Sequence, residues 1–237
     1  QNVTITATGT TAGGGTVTAS KIYVVSITDP SSFPYRMDLT ISASNINSNL
    51  TDFPLLVSLS TSITGFSYNG FLDSDGDGVR TGGDLRFFAA SGQELAYEIA
   101  DWNTSGTSDI WVKVPTISSS ADTVVTAAWG RTGTETTPDY ASNDPVWSNE
   151  YHGTWHLNDI STGNFVSDSG VNSFHGQVYG GAVNQTGLVG DGLYFDGTND
   201  YVSFGVDAGN PGTSSFTASF WVKWAGSGNP GQKFILN

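Results

Sequence analysis

Apolar and polar residues alternate along most of this chain, and helical spacing is almost absent. The stretches NVTITATGT, KIYVVSI, YRMDLTISAS, FPLLVSLS, DLRFFAA, IWVKVP and TVVTAAWG follow one another in that order. A strand turns successive side chains to opposite faces, so a period of two marks a strand with one face buried. Val, Ile, Thr and aromatic residues fill these runs and suit a pleated surface. Gly, Asn, Asp, Ser and Pro interrupt them at short intervals, where turns are needed. The pattern predicts an all-β chain, an antiparallel β-sandwich or jelly roll.

Three parts follow from the punctuation. Residues 1–33 form an N-terminal strand segment that runs into the turn-rich TDPSSFP. Residues 34–140 form a compact strand series closed by WGRTGTETTPDY. The polar link ASNDP leads into a second series over 145–237, which opens with VWSNEYHGTWHLND. There is no repeat of fixed period and no low-complexity tract.

Composition narrows the setting. Only 13% of the 237 residues are charged, about half the usual share. Ser, Thr, Asn and Gly must therefore cover the surface, which suits an extracellular or cell-surface location. The balance of 8 Lys and Arg against 22 Asp and Glu gives a net charge of −14. A polyanion such as nucleic acid is repelled by such a chain, whereas divalent cations are suitable partners. Cysteine is absent, which excludes disulfides and thiolate metal sites. No stretch is apolar enough for a membrane span. The start at Gln1, with no initiator Met and no signal-peptide pattern, reads as a mature or trimmed product.

Five segments of the middle part, FPLLVSLS, GGDLRFF, LAYEIADW, IWVKVP and AAWG, resemble a microbial surface-protein module catalogued as a domain of unknown function. In that family a laminin-G-like, concanavalin-type jelly roll often follows. Here GTWHLND, DSGVNSFHGQVYGGAV, GLVGDGLYFDGTNDYVSF and FTASFWVKW resemble its opening half. The two resemblances cover roughly residues 34–237 and imply a large secreted or surface-anchored protein. They bring no catalytic residue to transfer. They also imply that the Asp-rich stretch at 73–84 is a local addition, with Asp84 belonging to the module's own strand.

That stretch, DSDGDGVRTGGD, carries the clearest candidate chemistry. Asp73, Asp75 and Asp77 stand at positions 1, 3 and 5 of a calcium loop. Gly78 stands at the sharp turn, the Val79 carbonyl at 7, Thr81 at 9 and Asp84 at 12. Calcium wants six to eight oxygens and would remove the repulsion among the carboxylates. Asp at position 12 is shorter than the usual bidentate Glu. The flanks SYNGF and LRFF read as strands, so a helix–loop–helix hand is not expected. The competing reading is a solvated acidic turn.

Other constellations are weaker. His152 and His156 in HGTWH have a zinc-protease spacing, but Gly153 stands where a Glu base is required. Trp155 and His156 are expected to pack at the start of the jelly roll, and lone His175 to sit at a surface turn. Glu98 and Asp101 are the best acidic pair for glycoside hydrolysis, yet strict alternation sends them to opposite faces. A G-x-S-x-G elbow and a phosphate-binding Gly loop are both absent from the sequence. Asp168, Asp191, Asp196 and Asp200 form a second acidic group at turns of the jelly roll. Sequons at Asn2, Asn49, Asn103 and Asn184 are candidate glycosylation sites.

The expected protein is a non-catalytic, calcium-stabilised adhesive or structural module of the cell surface. The rival expectation is an ancillary carbohydrate-binding region of a larger secreted hydrolase, which requires an exposed aromatic platform. Partners are then calcium, and glycans or further copies of the chain. FTASFWVKW reads as a central jelly-roll strand close to the end of the sequence. The expectation is therefore a fragment of a longer protein, or a sheet completed by strand addition from another copy. NVTITATGTTAGGGTVTAS is the candidate donor segment, and such head-to-tail pairing builds filaments.

Overall fold

The computed structural model describes residues 2–10, 16–24, 29–73, 76–134, 136–158, 160–208 and 212–224. At the start, β1 (Asn2–Thr10) and β2 (Thr16–Val24) pair antiparallel with each other as a two-stranded ribbon. The candidate donor segment is thus part of a hairpin.

The middle part is an antiparallel β-sandwich. Its strands are β3 (Tyr35–Ile41), β4 (Leu50–Ser60), β5 (Arg86–Ala89), β6 (Tyr97–Asp101), β7 (Thr107–Ile117) and β8 (Thr123–Trp129). One sheet runs β3-β8-β5 and the other β4-β7-β6. Alternation sorts their side chains: Ile110, Val112 and Val114 of β7 point into the core, with Leu59, Phe87, Tyr97, Val125 and Ala127. Each of the Val, Leu, Ile and Phe side chains among these, fully buried, contributes roughly 1.5–3 kcal/mol.

The connection from β4 to β5 closes one end of the sandwich. Its Phe66 and Phe71 rings lie 5.4 Å from the Trp129 ring, and Phe71 also meets Trp102 at 5.0 Å. SYNGF, expected as a strand, instead contains a one-turn 3-10 helix, Tyr68–Gly70. Ser67 caps it by accepting from the Asn69 amide. The reason is local: Ser, Asn and Gly favour a capped turn over pairing. Gly70 is required there, because a Cβ would lie 2.6 Å from Trp129 Nε1.

Beyond the sandwich come the short helix α1 (Asn143–Val146) and five small strands. These are β9 (Phe165–Val166), β10 (Gly176–Tyr179), β11 (Val183–Thr186), β12 (Asp191–Tyr194) and β13 (Tyr201–Ser203). They form the sheets β13-β10-β9 and β11-β12. Val166, Val178 and Ala182 make a small core with Leu193, Val202 and Phe204 around it. The chain is all-β. No described helix is long and apolar enough to cross a membrane.

FTASFWVKW, expected as a central strand, forms no strand. Phe216 and Trp221 are 71% and 83% exposed. A central strand needs a hydrogen-bonding neighbour on each edge, and no described strand pairs with this segment.

Candidate functional site

The Asp-rich loop is tied at its base. Arg80 Nε donates to the Phe71 carbonyl at 3.0 Å, and Trp102 Nε1 donates to the Arg80 carbonyl at 2.6 Å. Within it, the Asp73 carboxylate accepts from the amides of Gly76 and Gly78, each at 2.9 Å, and Asp77 accepts from the Val79 amide at 2.7 Å. Gly76 and Gly78 have φ of 77° and 87°, the left-handed region that lets the loop curl so tightly. Val79 and Thr81 are exposed. Asp75, the middle candidate ligand, lies outside the described residues.

Asp84 differs from the rest. It is buried and accepts from the Gly130 amide at 2.6 Å and from the Leu72 amide. Burial pushes its carboxyl above the usual range, and the two amides oppose that shift. Its side chain joins the loop to the end of β8. Among the described residues, no group of three or more His, Asp or Glu is placed to hold a metal ion.

A second constellation lies on the outer face of β6 and β7, where later segments of the chain cover it. Glu98 is nearly buried, opposite Trp111. Trp147 Nε1 donates to its Oε2 at 2.5 Å, and Ser169 Oγ donates to its Oε1 at 2.9 Å. His156 Nε2 lies 3.1 Å from the same Oε1. The His156 ring is stacked on Trp111, with 13° between the planes and 6.1 Å between centroids. Asn158 adds a bond from Nδ2 to the Ala100 carbonyl at 2.8 Å. Beside these groups is a polar cavity of about 300 Å³, lined by Glu98, Ala100, His156, Asn158, Ser167 and Ser169.

Strict alternation separates Glu98 from Asp101, but the structure corrects that expectation. Glu98 pairs with Trp111 and Asp101 with Asp109, and the register shifts between Ile99 and Asp101. Asp109 and Trp111 are two residues apart and share a face. The bulge inserts one extra residue and returns Asp101 to the face that Glu98 occupies.

Asp101 therefore stands directly opposite a second carboxylate. Asp109 accepts from Ser58 Oγ at 2.5 Å and from the Gly190 amide at 3.1 Å. Burial first, then the charges of Asp109 and Asp191, push the Asp101 carboxyl upward. A carboxyl raised on folding contributes its stability below its unfolded pKa and loses it as pH rises through the folded value. Asp101→Asn should accordingly raise stability at pH 7 by a few tenths to about 1 kcal/mol. The gain should vanish once the pH is below about 3.9. Urea titrations at pH 7 and pH 3.5 check this, and a loss at pH 7 would show the carboxylate to be favourable.

The remaining predicted residues are dispersed. His152 and His156 share no site: His152 Nε2 lies 3.0 Å from the Asp207 carbonyl. His175 is exposed, and its Nδ1 accepts from the Asp168 amide. Asp168 accepts from the amides of Thr154, Gly170 and Phe174, which makes it the hub of a turn. Asp196 and Asp200 form a separate turn, in which the Asp196 amide donates to Asp200. Asn49, Asn103 and Asn184 are all exposed, and the side chain of Asn2 lies outside the described residues.

Sequence reasoning missed the grouping around Glu98. LAYEIADW and HGTWH were each visible, but their partnership spans 58 residues and that with Ser169 spans 71.

Residues 81–159 match the family model described as "Domain of unknown function (DUF2341)". The matched region contains β5 to β8 and continues through Trp147 and His156. Two of the three groups that hold Glu98 are therefore inside it. It also contains LAYEIADW, IWVKVP and AAWG, and leaves FPLLVSLS outside. It stops short of most segments that carry the jelly-roll resemblance. No curated protein matches the chain, and no solved structure does.

Proposed function

We propose that this chain is a non-catalytic extracellular or cell-surface module of adhesive or structural type, rigidified by calcium. The observation that carries the reading is the use made of Glu98. A carboxylate with a His and a Ser beside a polar cavity has the makings of a hydrolytic site. Here both carboxylate oxygens are taken by Trp147, His156 and Ser169 of the same chain. A carboxylate engaged by three such donors holds two parts of a scaffold together.

Calcium would be held by Asp73, Asp75, Asp77, the Val79 carbonyl, Thr81 and Asp84. The curl of the loop around Gly76 and Gly78 supports this reading, as does the need to offset like charges. Calcium at about a hundred times its Kd would add roughly 2.7 kcal/mol. For a chain of this size that corresponds to a Tm shift of roughly 5–10 °C. Chelator should remove that shift, and Asp75→Ala should abolish the response. Identical melting curves with calcium and with chelator would refute the site.

The second part is read here as the opening of a laminin-G-like jelly roll, on the order of its strands and Asp-Gly turns. A native particle in which residues 215–224 lie away from any sheet would contradict that. A second reading is an ancillary carbohydrate-binding region of a larger secreted hydrolase. It is favoured by the aromatic side chains that β10 and β13 expose.

A further inference from the structure

The sheet β13-β10-β9 has two unlike faces. Val166, Val178 and Val202 point inward to the small core. On the other face the register aligns Phe165, Gln177 and Ser203 in one row and Tyr179 with Tyr201 in the next. Opposed residues of an antiparallel pair share a face, and so do residues two apart. Phe165, Tyr179 and Tyr201 are 46%, 45% and 54% exposed. The two tyrosine rings are stacked, with centroids 4.8 Å apart and 14° between planes. Gln177 is tied down: its Nε2 donates to the carbonyls of Gly163 and Asn164.

We propose that this face binds a neutral glycan, whose sugar rings lie against the Tyr179–Tyr201 pair and Phe165. The proposal deepens the carbohydrate-binding reading and rests on it. Three arguments select this occupant. The first is area. Three aromatic side chains of ~200 Å² each, about half exposed, present roughly 300 Å². A stable protein partner needs about 800 Å² on each side, so the patch is too small for a second copy or another protein. The second is charge. All five residues of the face are neutral in a chain of net charge −14, which disfavours an anionic ligand. The third is shape. Phe165 and Tyr201 are separated by two strand spacings and two residues, about 12 Å between backbones. That is the span of a short oligosaccharide, and the negative faces of the rings attract the C–H groups of a pyranose.

The test uses the full chain, with amorphous cellulose, chitin and dextran as neutral probes and polygalacturonate as the anionic one. Depletion binding should detect at least one neutral polymer and should be stronger there than on polygalacturonate. Tyr201→Thr should weaken it tenfold or more, with an unchanged melting curve. Tyr201→Phe, which keeps the ring, should retain it. Binding to a neutral polymer that is indifferent to Tyr201→Thr would overturn the surface and leave the carbohydrate-binding reading standing. Absence of binding to every neutral polymer would overturn both. Stronger binding to polygalacturonate would overturn the neutral ligand. Self-association abolished by Tyr201→Thr would overturn the glycan in favour of a second copy.

Discussion

A Glu98→Ala variant is expected to lose about 3–5 kcal/mol of unfolding free energy, the usual result of breaking a buried charged network by removing one member. The substitution strips the acceptor from the Trp147 indole, the Ser169 hydroxyl and His156 together. A buried polar group left without a partner costs about 1–3 kcal/mol. Glu98→Gln should recover part of the loss, since the amide keeps the shape but sets an N–H against a donor. The effect should also change the form of unfolding. Glu98 belongs to the sandwich, whereas Trp147, His156 and Ser169 belong to the segments that cover it. Weakening the joint should let those segments open first and split a single urea transition in two. A double-mutant cycle with His156→Ala would then report the coupling. A loss below 1 kcal/mol in Glu98→Ala would mean that water replaces the carboxylate and the joint contributes little.

Arg86→Ala is expected to cost a similar amount, about 3–5 kcal/mol, by a different route. Arg86 is buried on β5, and its guanidinium reaches four carbonyls. Nη1 donates to Gly83 and Leu85, and Nη2 to Thr134 and Thr136. Its Nε stands 3.3 Å from Glu94 Oε1, and the Tyr140 hydroxyl donates to the same oxygen. Alanine would leave Glu94 without its cation and take the guanidinium donors from the Gly83, Thr134 and Thr136 carbonyls, while the Leu85 carbonyl keeps the Tyr97 hydroxyl at 2.6 Å. Arg86→Lys should recover little, because one ammonium cannot match a planar fork that serves five acceptors. Burial pushes the Tyr97 and Tyr140 hydroxyls well above the usual range, so both stay neutral donors around this network. Thermal melting distinguishes the cases: both variants should fall by several degrees, and a normal melt for Arg86→Lys would refute the argument from geometry.

Much of the architecture could be read from residue order. The alternation in IWVKVP places Ile110, Val112 and Val114 in the core and Trp111 and Lys113 outside it. This works because side-chain direction in a strand repeats every two residues whatever the rest of the fold does. The curl of the Asp-rich loop was legible on the same ground. Asp and Gly at fixed offsets bond to amides only a few residues away.

Where the reading failed, the deciding interaction was distant. SYNGF is the exception: Ser67, Asn69 and Gly70 favour the capped 3-10 turn on local grounds, and Trp129, about sixty positions later, adds only that residue 70 must be Gly. FTASFWVKW has the pattern of a strand, but a strand exists only where another backbone offers its donors and acceptors. The bulge before Asp101 reversed the expected facing of two carboxylates, and no periodicity announces a bulge. The joint around Glu98 could not be seen in either segment alone. By itself, the sequence determined which residues are strand-like, where the chain turns and which faces are apolar, since these depend on neighbours a few residues apart. Only the tertiary structure decided that Glu98 meets Trp147, His156 and Ser169, and that Tyr179 and Tyr201 stand together on an open face. Those meetings depend on the path of the whole chain, which brings together groups that no local spacing relates.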